Sequence, residues 1–352
     1  MKRWLAASLA ALGASALTAC APRSDPAVTV LTYASQYSPA HPFSRADLAW
    51  MTWIAERSQG RLRIQPFWSG SVLSSEHSMT EIRHGVVDIG LITPIYARGG
   101  AHLIHVQAAF YAGLTTFHQQ VSLYRCLTRA DPQFDRELAG LKVLAVQGGN
   151  LPGIVTRDQP VKTLDDLRGL RLRAPSELLE VLRRFGADPV DMPMGEVYSA
   201  LAKGVLDGVI APADTLRSLH FAEVARYFNT LSVPRGAYAA RAIGMQRWNS
   251  LDAEERAILE ESIGVWEQAL DRELRQAQIA GEKVGHEKGM VFAAPSEADS
   301  QRFLTEYNAV AEQNARLAGR YDIDGLRLFQ YARALVANAA RAGEVECMGE
   351  KE

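Results

Sequence analysis

Residues 160–175 read Pro160-Val-Lys-Thr-Leu-Asp-Asp-Leu-Arg-Gly169-Leu-Arg-Leu-Arg173-Ala-Pro175. Residues 191–208 read Asp191-Met-Pro-Met-Gly-Glu196-Val-Tyr198-Ser-Ala-Leu-Ala-Lys-Gly204-Val-Leu-Asp207-Gly208. Thr163 followed three residues later by Asp166 is a helix start, a hydroxyl cap with a carboxylate at the positive end of the dipole. Gly169 ends that short helix as a left-handed cap. Leu170 to Ala174 alternates apolar and basic residues, which predicts a strand, and Pro175 stops it. Arg173 therefore stands at the end of a strand that a helix follows, where ligands bind in open α/β sheets. Two readings of it stay open on position alone. It is a solvated surface charge of little consequence, or a planar clamp for a carboxylate or phosphate.

The company Arg173 keeps bears on that choice. The run resembles the substrate-binding proteins of TRAP transporters (tripartite ATP-independent periplasmic, the DctP type). That family shows a Pro-Ile-Lys-Thr-like lead, an Asp-Leu-Lys-Gly turn and a Leu-Lys-Ile-Arg-x-Pro strand, then Met-Pro-Phe-x-Glu-Val-Tyr-x-Ala-Leu and Gly-Val-x-Asp-Gly. Nearly every one of those positions is matched here, in the same order. The resemblance implies an α/β, two-lobed periplasmic binding protein fold with a long helix spanning both domains. It implies a small organic carboxylate as ligand, TRAP transporter membrane subunits as partners, no cofactor and no catalysis.

The chain begins Met1-Lys2-Arg3, followed by an alanine- and leucine-rich stretch from Trp4 to Leu17. That stretch is shorter than the ~20 apolar residues a bilayer span needs, and it reads as a signal peptide. Its end, Leu17-Thr-Ala-Cys20, is the lipobox pattern of bacterial lipoproteins. The expected outcome is acylation of Cys20, since two or more fatty chains anchor stably, and a periplasmic protein held at a membrane. Residues 21–27 read as a tether. Residues 28–148 with 238–275 are expected to form one lobe, and residues 149–237 with 276–352 the other.

A formal net charge of −2 argues against nucleic acid as partner. Besides Cys20 the cysteines are Cys126 and Cys347. Their spacing fits no zinc motif, and in an oxidising compartment they can pair and pin the tail. No histidine pair has ligand spacing with a carboxylate. His77 and His84, seven apart on one helix, read as surface or capping residues.

Along the chain, Val28–Tyr33, Leu62–Phe67 and Val87–Thr93 read as strands alternating with helices that start near Pro42 and Glu76. Helices are expected over Ser176–Phe185, Gly195–Lys203 and Asp214–Tyr227, with a strand at Val205–Ile210. Gly148-Gly149-Asn150 lacks the pattern of a phosphate loop and reads as a turn into the second domain. Leu231 to Met245 returns to the first domain. A single helix of roughly Asp252 to Lys288 follows, with an apolar stripe including Ile258, Trp266 and Leu270.

Carried over position by position, the resemblance puts the family's strand-end arginine on Arg173. Its aromatic wall falls on Met194, its asparagine on Ala211, and its third-strand contact on Thr93. Asn150, Gln36 and Tyr198 complete the ligand-binding candidates. Helix-start packing is the competing reading for Tyr198. The family's second arginine has no match in Asn150 to Ile154, so the expected ligand is a monocarboxylate with an apolar body; Asn150, Arg157 or Arg241 entering the cleft would restore polarity. Two rivals stand beside transport: a ligand-sensing lipoprotein, and an enzyme on a binding-protein fold. No nucleophile–base constellation supports the second.

Overall fold

The computed structural model describes residues 28–348. Cys20 and the leader lie outside the described residues. Eleven strands form two sheets: β1 (Thr29–Ala34), β2 (Leu62–Phe67), β3 (Ile89–Leu91), β4 (Leu141–Gln147), β5 (Gly153–Thr156), β6 (Arg171–Arg173), β7 (Asp188–Val190), β8 (Gly208–Ala211), β9 (Tyr227–Asn229), β10 (Tyr238–Gly244) and β11 (Val291–Ala293). The first sheet has the order β2-β1-β3-β10-β4, the second β11-β9-β5-β8-β6-β7. In the first, β1 pairs parallel with β2 and β3, while β10 runs antiparallel between β3 and β4. In the second, β6 runs parallel to β7 and β8, and β5 runs antiparallel to β8 and β9. The carboxyl ends of β3, β6 and β8 and the amino end of β10 thereby converge on one cleft.

The helix Ala253–Glu287 joins the two halves. Asp252 and Glu255 form a reciprocal capping box that fixes its start. At 1.5 Å rise per residue it is ~50 Å long. Near its start Trp266 and Leu270 pack with Trp50 and Leu31 under the first sheet. Towards its end, a β-carbon on Gly281 would come 2.0 Å from the carbonyl oxygen of Ala213, just beyond β8. Only glycine allows that approach.

A buried cross-link lies under the first sheet. Arg241 on β10 and Asp47 are both fully buried, and Arg241 Nε and Nη2 donate to the two carboxylate oxygens at 2.7 and 3.1 Å. Trp266 Nε1 also donates to Asp47, at 2.7 Å. With its charge paired and hydrogen-bonded, Arg241 serves packing and does not enter the cleft.

Two stretches depart from the sequence reading. Asp214–Tyr227 is not one helix: it breaks into the helix Asp214–Ser218, a short turn at Phe221–Glu223 and strand β9. The break sits at His220, whose φ of 60 is left-handed and cannot continue a helix. The tail folds into helices Glu297–Leu317 and Gly325–Ala342. The first packs against the helix Leu179–Arg184, with Phe303 stacked on Phe185 at its end, ring centroids 5.8 Å apart. The segment that follows the second is tied to the helix Phe117–Ala130 by a disulfide between Cys126 and Cys347, whose Cα atoms are 5.2 Å apart. Part of the tail expected with the second lobe therefore packs against the first.

Candidate functional site

The cleft between the strand ends holds a cavity in which the centre of a water molecule can range over about 100 Å³. Its walls come from both sheets. Tyr37 and His41 follow β1, Thr93 and Tyr96 follow β3, and Arg173 ends β6. Asp214 follows β8, and Arg235 and Tyr238 lie at the start of β10. Leu178, Met194, Ile210 and Leu219 supply an apolar wall.

Arg173 is 2% exposed. Its Nε donates to the carbonyl oxygen of Met192 at 2.9 Å, and its Nη2 donates to the Tyr96 hydroxyl at 2.7 Å. The Tyr96 contact crosses the cleft, joining the loop after β3 to the end of β6. Arg173 Nη1 donates to no protein group, and no carboxylate stands within ion-pair distance of this guanidinium among the described residues. It is a fork fixed at one side and free at the other, the arrangement that accepts a carboxylate.

A second guanidinium, Arg235, enters the same cavity without an internal hydrogen bond or ion pair. Residue 149 makes room for it: a β-carbon there would lie 2.5 Å from Arg235 Cζ. Sequence reasoning sought the second arginine upstream of Pro160 and missed this one in the return segment. The signal available was Pro234-Arg235-Gly236, a charge between a φ-fixing proline and a permissive glycine next to an all-buried strand.

The remaining polar groups are shaped by burial. His41 is 4% exposed, and burial, reinforced by Arg45, Arg241 and Arg235, holds its imidazole down to about 3. Its Nδ1 accepts from the Phe43 backbone N–H at 3.2 Å, so in the neutral ring the proton sits on Nε2. Burial also pushes up Asp214, against the Asn150 hydrogen bond and the charge of Arg235. Glu177 is likewise raised by burial, and Arg173 and Arg235 pull it back.

Of the residues singled out in the sequence, Arg173, Met194 and Thr93 line this cavity. Thr93 turns its hydroxyl away, to the Ser75 carbonyl oxygen. Four others lie elsewhere. Ala211 faces the core with Val155 and Leu216, because side chains alternate along β8 and its neighbour Ile210 takes the cavity side. Asn150 donates to Asp214 Oδ1 at 3.1 Å and to the Leu274 carbonyl oxygen at 3.0 Å, behind the cavity wall those two residues form, and lines a neighbouring groove. Gln36 ties its loop to Ser74 and Leu91 through Nε2. Tyr198 is 36% exposed and donates to Glu223 at 3.2 Å. Arg157 pairs with Asp158 at 3.4 Å, away from the cavity.

The family model described as bacterial extracellular solute-binding protein, family 7 (DctP), matches residues 33–316. The chain belongs to this family. A curated relative, the 2,3-diketo-L-gulonate-binding periplasmic protein YiaO of Escherichia coli, is 26% identical over 188 residues. That match spans about half of each protein, 53% of this chain and 56% of the relative. Among solved structures, a TRAP solute-binding protein of Rhodoferax ferrireducens, crystallised with copurified benzoate, superposes with a TM-score of 0.82 at 23% identity. It covers 90% of this chain and 100% of its own. A TRAP solute-binding protein of Bordetella bronchiseptica with bound mandelate gives a TM-score of 0.76 at 21% identity, over 88% and 99% of the two chains. The α/β fold of two sheets crossed by a long helix is thus that of the DctP solute-binding proteins. At these identities the likeness shows the fold and leaves the ligand to the residues of the cavity.

Proposed function

We propose that this DctP-family chain captures a small organic carboxylate with an apolar body and delivers it to the membrane subunits of a TRAP transporter. The observation that carries the reading is Arg173, a buried guanidinium with one edge pinned by Met192 and Tyr96 and the other unpaired in a cavity with an apolar wall. An unpaired buried charge is costly, and a carboxylate is the partner that answers its geometry. Benzoate and mandelate in proteins of the same fold are acids of this shape. Met194, polarizable and flexible, suits packing on such a body.

Isothermal titration calorimetry on the mature chain, after a thermal-shift screen of organic acids, tests this. Arg173→Ala is expected to weaken binding by ~2–5 kcal/mol, as for a buried charge pair that loses one member. Arg173→Lys recovers only part, because an ammonium lacks the fork. Unchanged affinity in both variants would place the carboxylate elsewhere.

The reading includes a lipid anchor at Cys20, supported by the Leu17-Thr-Ala-Cys20 pattern. Cys20→Ser is expected to shift the protein from the membrane to the soluble extracytoplasmic fraction, or to block leader removal. Normal processing with full membrane retention rules the anchor out.

A further inference from the structure

Glu177 lies in the short turn Ser176–Leu178, four residues beyond Arg173, and lines the same cavity. Its Oε2 is buried and has no hydrogen-bond partner. The groups that bear on it come from every side: Arg173 on β6, Asp191 after β7, Arg235 before β10, Tyr238 on β10 and Tyr307 on the helix Glu297–Leu317. None of them forms an ion pair or hydrogen bond with Oε2. The carboxylate is held only by its own backbone N–H, and its Oε2 stays beside the carboxylate clamp without a partner.

A plain acid seated on Arg173 puts a second anion next to this carboxylate. Inside a cavity shielded from water two like charges repel strongly, and one of them must take up a proton. A ligand carrying both a carboxylate and an ammonium meets no such conflict: its anion answers Arg173 and its cation answers Glu177. The other charged pair in the cavity has its own compensation, since buried Asp214 lies in the field of Arg235 and accepts from Asn150. Ile95, Leu178, Met194 and Ile210 remain for an apolar body.

Resting on the reading that Arg173 holds the ligand's carboxylate, we propose that Glu177 is a specificity-determining acceptor for a cationic amino group, and that the ligand class is amino acids with an apolar side chain. Specificity of this kind comes from a buried polar group that only the right ligand satisfies.

The test is calorimetry on the mature chain with matched probes: leucine against 4-methylpentanoate, phenylalanine against 3-phenylpropanoate, and the other apolar amino acids against their deamino acids. In the wild type the best amino member is expected to bind roughly tenfold to a hundredfold tighter than its deamino counterpart, the effect of one charge-assisted hydrogen bond. Glu177→Gln should abolish or invert that preference while keeping the melting temperature. A second readout needs no variant. As pH rises and Glu177 loses its proton, affinity for the deamino acid should fall, whereas affinity for the amino acid should rise to a plateau. Equal or tighter binding of deamino acids, survival of the preference in Glu177→Gln, or binding by neither set overturns the proposal. If Arg173→Ala abolishes binding of deamino acids while no amino preference exists, the Glu177 inference fails and the carboxylate reading stands. If Arg173→Ala changes nothing, that reading has failed.

Discussion

Arg235 reaches the cavity because residue 149 has no side chain. A β-carbon there would sit 2.5, 2.7 and 2.8 Å from Cζ, Nε and Nη1 of Arg235. Gly149 has no left-handed backbone angle, so alanine fits the main chain, and the arginine tip must move instead. Gly149→Ala is therefore expected to fold normally and to lose part of the binding that Arg235 contributes, on the order of 1.5–3 kcal/mol for one hydrogen bond to a charged group. Calorimetry on Gly149→Ala and Arg235→Ala, with the best acid from the screen, should show a loss in both, the smaller one in Gly149→Ala. Full affinity in Gly149→Ala alongside a loss in Arg235→Ala would mean that this glycine does not aim the guanidinium. The same pair shows where residue-level reading ran out. Arg173 was legible because strand, turn and proline mark its place locally. Arg235 becomes a candidate only through the fold, which sets it in the cavity against a glycine 86 positions away by numbering, and no local pattern encodes that.

At the level of elements, the sequence was most informative where local chemistry sets the boundary. Thr163 and Asp166 form the capping box that their spacing suggests, Gly169 takes φ 78, and β6 ends on Arg173. The long helix begins at the capping box of Asp252 and Glu255 and continues without proline to Glu287. Boundaries failed where tertiary contacts decide. Asp214–Tyr227 carries enough helical character to read as one segment, yet β9 forms because Tyr227–Asn229 find both β5 and β11 as partners. Motif position puts a ligand contact at Ala211, but strand alternation turns that residue into the core while Ile210 faces the cavity. Tyr198, four residues after Met194 on the helix Met194–Ala202, turns to solvent with Glu223 instead of following Met194 to the cavity. A motif fixes where the backbone lies more firmly than which way a side chain faces.

At the scale of the whole molecule, the tail links the two halves a second time. Beyond Asp322 no familiar motif occurs, yet the helix Gly325–Ala342 buries Leu328, Leu335 and Val336 in a core that also holds Leu123 and Leu127 from the helix Phe117–Ala130. The helix before it, Glu297–Leu317, contributes Phe303 and Tyr307 to the same core and packs on the second sheet's side, where Glu306 pairs with Arg184 at 2.9 Å. Cys126 and Cys347, 221 residues apart, lock the end of this arrangement. A cross-link over so long a loop restricts the unfolded chain strongly, so its loss is expected to cost about 2–5 kcal/mol. Because the bond lies outside the cavity, ligand affinity should be preserved in what remains folded. The paired variant Cys126→Ser, Cys347→Ser should unfold at lower urea with a slope changed by the freer denatured state, and wild-type protein under reductant should follow it. An unchanged midpoint in both would show that packing of Leu328, Leu335 and Val336 alone holds the tail in place, with the disulfide adding nothing to stability.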